Sequence, residues 1–366
     1  MVEPARRVLA FRLARSGLAE KAPASLASAA ACPASDFARD AALLALAARR
    51  PKLTRDAYDE AVDAAEKLLV AHVVRGAIHA LDPADHALWG RALLATDDDE
   101  LGVQLGQQVR KLAKEEGFSP AEALDEVAHA TKAALARGRK LTKDELHQEL
   151  RERVRSELMP WCKSCGSHHV APMLWRFGGV KAGARLDSKR RYLMGKPGRA
   201  PAAGEAARRY LRFYGPGTVG EFADWAGLAR PHAERIWAEV SDEAAEVKVG
   251  RGRALILSED RDELEDPPEA AGVRLIPAGD PYLQKPNRRL LAPDDGLRKR
   301  LFRPVASPGV VLKDGALAGL WKVKAKGKRA EVTVEKLGRI PRRDLEAEAE
   351  RIAALRDADE ALLVID

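Results

Sequence analysis

Between Thr218 and Leu257 the apolar positions change rhythm twice. Thr218 and Glu221 form a Thr-x-x-Glu capping box, and helical spacing after it carries a short helix through Trp225 and Ala226. Gly227 marks a turn, and a second helical stretch follows from Pro231 to Val240. The period then drops to two. Ala245 to Val249 and Ala254 to Leu257 alternate as strands, joined by Gly250-Arg251-Gly252-Arg253. Helix, turn, helix and basic ribbon is the order of a winged helix, and one is expected here.

The same order recurs upstream. A looser copy runs through helices at Pro4 to Ser16, at Ala41 to Arg49 and after Thr54, then a strand-like segment from Gly76 to Leu81. Two amphipathic helices, about Glu100 to Glu116 and Pro120 to Arg137, precede a second copy. That copy opens on another capping box, Thr142 with Glu145, whose helix is expected to reach Glu157. Its recognition helix is placed near His169 to Arg176, and its hairpin pairs Val180 to Leu186 with Arg190 to Leu193. A Gly/Pro/Ala linker, Gly195 to Pro201, leads into the third copy.

After Asp266-Pro267-Pro268 the texture turns to strands: Arg274 to Pro277, Val310 to Leu312, Leu317 to Val323, Ala330 to Val334 and Ala361 to Ile365. Asp314-Gly315 is a hairpin turn signal, and Arg342 to Leu355 reads as a helix before the last strand. The expected fold is mainly α with an α+β C-terminal part, tandem winged helices followed by a β-rich domain. The expected regions are 1–95, 96–195, 203–265 and 270–366.

Charge changes the picture. Of 366 residues, 62 are Lys or Arg against 55 Asp or Glu, a formal charge of +7 that favours a polyanionic partner. A groove-reading helix with an arginine-tipped ribbon points to double-stranded DNA, with packing or protein contact as the alternative use. Three cysteines exclude a disulfide framework and fit a reducing compartment. Arg6, Arg7, Arg12 and Arg15 interrupt any signal-like apolar run, so a cytoplasmic, nucleoid-associated protein is expected, with no membrane contact. No phosphate cradle, Ser-His-Asp pattern or His-Glu-x-x-His helix supports nucleotide hydrolysis or proteolysis, and no cofactor is expected. Internal repetition favours a monomer.

Several blocks resemble a known family in collinear order. They are Val74-Arg75-Gly76-Ala77-Ile78-His79, the Arg-Tyr-Leu and Tyr-Gly-Pro within Arg209 to Pro216, Arg274 to Leu283, and Gly309 to Gly315 with Gly319 and Trp321. On these residues the chain resembles the bacterial AlkZ-like DNA glycosylases of the winged-helix DNA-binding superfamily. The resemblance implies DNA repair, with excision of alkylated or crosslinked purines; a regulator or other non-enzymatic binder on the same scaffold is the alternative. In that family a Gln-x-Gln or Gln-x-Asp motif positions the attacking water. Anchoring on Ala42 to Leu46 places the motif on Pro33-Ala34-Ser35, followed by Asp36, so both glutamines are missing. The resemblance then makes Asp36, with Ser35, the nearest catalytic candidate, with His79 near it in the family's architecture. Against this, Asp36 also reads as the cap of a helix beginning at Phe37, and His79 as a satisfied interior residue.

Trp161-Cys162-Lys163-Ser164-Cys165-Gly166-Ser167-His168-His169 gathers zinc-type ligands, but it lacks the second, separated pair of a closed four-ligand site. Cys162 and Cys165 are therefore weak metal candidates. An inert turn, zinc, and a DNA contact through His168 or His169 all stand. Arg75 is a phosphate fork candidate. Arg185, Lys189, Arg190, Arg251, Arg253, Lys322 and Lys324 are further DNA-binding candidates; for the lysine strand, protection of a sheet edge is the equal alternative. Asp280, Tyr282 and Gln284 fall in a loop after a buried strand, where Gln284 offers the amide that the motif position lacks.

Overall fold

A computed structural model of the chain describes residues 2–19, 22–38, 40–250, 252–303 and 305–366, with residues 2, 3, 325 and 326 described by their backbone alone. Residue contacts divide it into two compact units. One comprises residues 1–58, 208–221 and 241–366, the other residues 59–207 and 222–240. The fold is α+β. Among the described residues no helix is long and apolar enough to cross a membrane.

The first unit is organised by a five-stranded sheet in sequential order, Val273–Ile276, Gly309–Lys313, Ala316–Lys326, Arg329–Lys336 and Glu360–Ile365. The first three pairings are antiparallel. The last is parallel, with helix Arg342–Leu355 as its crossover. Lys313 pairs with Ala316, so Asp314 and Gly315 form a two-residue turn, both at positive φ (47° and 76°). That is the geometry for which an Asp-Gly pair is selected. Ile276, Val310, Leu312 and Leu320 bury one side of the sheet against Tyr282, Leu283 and Leu291, and Leu13 and Leu18 join the same core. Helix Ala41–Arg49 is buried along its whole length, as expected where every position but the last is Ala or Leu. A smaller sheet pairs Ala244–Val249 with Gly252–Leu257 and, in parallel, with Val2–Glu3.

In the second unit, strands Ile78–Leu81, Leu69–His72, Ala184–Leu186 and Tyr192–Met194 lie side by side, all antiparallel. Helix Pro120–Ala134 packs along helix Pro172–Ala182, and helices Asp98–Glu116 and Lys143–Arg151 flank them. The close approach of the central pair rests on Gly178. A Cβ there would stand 2.5 Å from Val127 Cγ1.

Most of the expected helices and strands are present with shifted ends, but the helix expected to reach Glu157 stops at Arg151 and a separate short turn follows at Ser156–Leu158. Both capping boxes close. Thr142 and Glu145 exchange side-chain-to-amide bonds of 2.7 and 3.3 Å, Thr218 and Glu221 bonds of 2.9 and 3.2 Å. Helix Val219–Ala226, helix Arg230–Ala238 and the two strands at 244–257 follow in the expected order.

Two expectations are corrected. The helix expected at His169 begins at Pro172 and runs to Ala182, ending at Gly183 in the left-handed region, so Val180 to Ala182 are helical and only Ala184–Leu186 is strand. No residue of that helix is exposed, which makes it a core helix rather than one free to enter a groove. The strand carrying Lys322 and Lys324 is the third of five, so sheet-edge protection does not explain its lysines.

Gly178→Ala is expected to lower the urea or thermal midpoint by about 1–3 kcal/mol through overpacking. Gly179→Ala, with nothing within 4 Å of the added Cβ, should leave stability unchanged or raise it by up to about 1 kcal/mol. Equal losses in both would show that the Val127 contact is not what Gly178 serves.

Candidate active site and nucleic-acid interface

Ser35 and Asp36 lie in the first unit, just before the buried helix Ala41–Arg49. Asp36 is 6% exposed, and its Oδ1 accepts the Ala42 backbone N–H at 3.2 Å. The carboxylate therefore does cap a helix, but the helix starts at Ala41 and not at Phe37. Asp40 sits in the left-handed region (φ 65°) and breaks the path between them, while Phe37 is largely exposed. A carboxylate at a helix N-terminus is favoured in its ionised form.

The Gly279–Gln284 turn meets the same place. A Cβ on Gly279 would stand 3.6 Å from Ser35 Cβ and 3.7 Å from its Oγ. The Gln284 side-chain amide donates to the Gly279 carbonyl at 3.1 Å. Gln284 thus comes to the turn that faces Ser35. Asp280 has another task. Both its oxygens receive Arg49, at 2.7 and 2.9 Å, and Oδ1 also accepts Tyr282 N–H at 2.8 Å. Arg49 completes its set with the Ser16 and Ala45 carbonyls. Burial opposes its charge, yet the Asp280 carboxylate carries its pKa above the usual arginine value. Cys32 lies 3.4 Å from the Tyr214 hydroxyl, and burial raises its thiol to about 12, which leaves it unreactive.

His79 lies in the second unit. It is 5% exposed, and its Nδ1–H donates to the Ala77 carbonyl at 3.0 Å. Burial pulls its pKa down to about 3, so the ring is neutral at pH 7 and a weak base. His72, on the neighbouring strand, is likewise held near 4 by burial. Arg75 takes a left-handed conformation (φ 56°) and donates to the Trp225 carbonyl at 2.6 Å. Its stem packs on Gly227, where a Cβ would stand 2.8 Å from Arg75 Cγ. At least one arm of this fork is committed to the protein, at the C-terminal end of a helix where cations are favoured.

The basic candidates separate by exposure. Arg185 donates to the Val62 and Asp63 carbonyls, and burial lowers its pKa. Lys189 is exposed at the tip of the hairpin, beside half-buried Arg190 (φ 59°). Arg253 is exposed and pairs with Glu246 across the ribbon at 3.3 Å, a surface pair of little energetic weight. Arg251 lies outside the described residues. Lys322 and Lys324 both face solvent, two residues apart on one side of the sheet, opposite Thr333 and Glu331. Helix Arg230–Ala238 adds two exposed arginines that sequence reading passed over, Arg230 beside Glu234 and Arg235 forked onto Glu100. Their signal was the period of the helix itself, whose exposed positions include 230, 231, 234, 235 and 238.

His168 and His169 point opposite ways, as neighbours at the end of a strand do. His168 is exposed, with Nδ1–H on the Met159 carbonyl and its ring 5.2 Å from that of exposed Trp161. His169 is buried near Cys162 and Cys165. The Ser164 hydroxyl, then the Cys165 amide and His169, pull the Cys162 thiol down to about 6.

A profile of the DNA glycosylase AlkZ-like family matches residues 33–355. The chain belongs to that family. The match opens at Pro33, the first residue of the triad that stands before Asp36. A curated relative, the interstrand DNA cross-link repair glycosylase of Streptomyces sahachiroi, is 33% identical over 138 residues, 34% of this chain and 36% of its own length. The matched region thus spans about a third of that relative. The solved structure of Streptomyces sahachiroi DNA glycosylase AlkZ superposes over 100% of both chains with a TM-score of 0.76 at 22% identity, a likeness of fold.

The buried imidazoles set a pH dependence. An unfolded histidine titrates near 6.5, whereas folded His72 and His79 titrate near 4 and 3. Their stabilising contribution is fully present above the unfolded value and is lost as pH falls through it toward the folded ones. Urea midpoints should therefore fall between pH 7.5 and 5, by up to about 1.4 kcal/mol per pH unit for each ring. A His79→Gln chain should show a shallower fall; an identical slope would mean that His79 is not buried neutral.

Proposed function

We propose that the chain is a monofunctional DNA glycosylase that removes alkylated or crosslinked purines from duplex DNA, with Asp36 as the carboxylate acting on water and sugar. The observation that carries this reading is the position of Asp36, a buried carboxylate held at a helix N-terminus directly after the triad where the family resemblance puts its water-positioning motif. The damaged nucleotide leaves the stack, and water replaces the base at C1′. An ionised Asp36 orients that water, accepts its proton and opposes the positive charge that develops on the sugar. A purine alkylated at N7 already carries positive charge and departs neutral, so the reaction needs no acid from the protein. Ser35, with Gln284 at the facing turn, supplies the polar contacts that the absent glutamines would make.

We further propose that the winged-helix segments hold duplex DNA as a monomer, with helix Arg230–Ala238 as the groove reader. The exposure of Arg230, Arg235, Arg253, Lys189, Lys322, Lys324 and His168 supports phosphate contact at those positions. Arg75 and Arg185 instead order the loops that carry them, since both donate to backbone carbonyls.

Incubation with duplex DNA containing N7-methylguanine or a nitrogen-mustard crosslink, followed by cleavage at abasic sites, should give nicked strands. Asp36→Asn should slow that release by roughly 100-fold or more. Tight, salt-sensitive binding with no product even at excess protein would favour the non-enzymatic binder instead. Independently, Lys322→Ala with Lys324→Ala should weaken binding alike on every sequence. It should also reduce the log–log salt slope by roughly 0.9 for each phosphate no longer neutralised. An unchanged slope would remove that strand from the interface.

A further inference from the structure

The proposed DNA chemistry leaves one cluster unused. Cys162, Cys165 and His169 each offer one ligand atom, and the three atoms lie within 4.8 Å of one another. The local fold explains the convergence. Trp161–Cys162 pairs antiparallel with Ser167–His168, and the short turn between them bends back at Gly166 (φ 60°), which brings the Cys165 thiol beside that of Cys162. His169 is the next residue after the ribbon. It turns inward where His168 turns out, and so closes the triangle from the buried side.

The imidazole is also prepared. His169 Nδ1 lies 2.9 Å from the Val170 carbonyl, an acceptor only, so the proton resides on Nδ1 and the Nε2 lone pair is free for a ligand. A carbonyl behind a histidine in this way fixes both tautomer and ring orientation, the usual support of a metal-bound imidazole. Beside it, the His147 ring stands edge-on to His169 at 5.3 Å, and its buried Nε2 has no hydrogen-bond partner among the described residues.

We propose that Cys162 Sγ, Cys165 Sγ and His169 Nε2 bind a zinc ion, with a fourth position open on the exposed Cys165 side. Tetrahedral zinc, with Zn–S about 2.3 Å and Zn–N about 2.0 Å, sets its ligand atoms roughly 3.5–3.8 Å apart. The observed triangle therefore needs only a contraction of about 1 Å, within reach of side-chain rotation. Two sulfurs and one imidazole are donors for zinc and not for magnesium or calcium. Both sulfurs enter as thiolates, so binding releases any thiol proton still present. The ion would tie the ribbon to the start of helix Pro172–Ala182, and so fix the outward-facing Trp161 and His168. Of the two adjacent histidines, His168 is the nearer to Cys165 in sequence. The pleat of the strand selects His169 instead.

The full chain, purified without chelator and kept reduced, should carry about one zinc per molecule by elemental mass spectrometry. Titration of the stripped, reduced chain with Co²⁺ should give the thiolate charge-transfer band and intense visible bands of a tetrahedral site. Cys165→Ser alters an exposed side chain, so it should leave the fold intact by circular dichroism while weakening zinc roughly tenfold or more. A reduced chain with neither zinc nor a cobalt spectrum overturns the proposal. So does a Cys165→Ser chain that binds zinc as tightly as the original.

Discussion

A charged pair with no access to water governs the first unit. Arg49 and Asp280 are 3% and 0% exposed and meet through two parallel bonds, 231 residues apart in sequence. Such a pair is tolerated in the interior only when every remaining donor and acceptor is satisfied; stranding one partner costs about 3–5 kcal/mol. The unit meets that condition with carbonyls. Arg49 takes Ser16 and Ala45, while Asp280 receives the Tyr282 amide. Arg12 repeats the device, placing its guanidinium on the carbonyls of Gly215, Pro216 and Pro286 and on Asn287 Oδ1. Four distant stretches of chain are thereby fixed to one another by groups that cannot be left unpaired.

The same constraint shapes the candidate catalytic region. Because Arg49 holds both oxygens of Asp280, that carboxylate is a brace, and the one that follows Ser35 in sequence is Asp36, whose Oδ1 accepts a helix amide. The family relationship is to DNA glycosylases, and the fold likeness is to one of them. Exposed arginines and lysines stand on several elements, while the arginines nearest the family's sequence blocks serve as braces.

Much of the architecture was legible because local signals agreed with the tertiary outcome. Asp314-Gly315 makes the turn its dipeptide specifies, both Thr-x-x-Glu boxes close, and Arg342–Leu355 is helical to the residue. The helix expected to end near Arg176 continues through Gly178, whose missing side chain permits close contact with Val127. Asp280 looked like a loop residue available for chemistry. Its partner, Arg49, is remote in sequence, and no periodicity signals a buried fork. For the cysteine cluster, ligand types were visible in the sequence, but the inward turn of His169 depends on strand register. Arg185 and Arg75 resembled surface cations until their carbonyl acceptors were seen.

Neither unit is built from one uninterrupted stretch of polypeptide, and this bears on synthesis from the N-terminus. The second unit has all its residues once the ribosome has passed position 240. The first must wait for the strands from 273 to 365, although it began with the helix at 5–15. During that interval Leu13 and Leu18 lack the Ile276, Val310 and Leu320 surfaces that will cover them. The helix at 5–15 thus stays without part of its apolar cover until the strands from 273 onward are made.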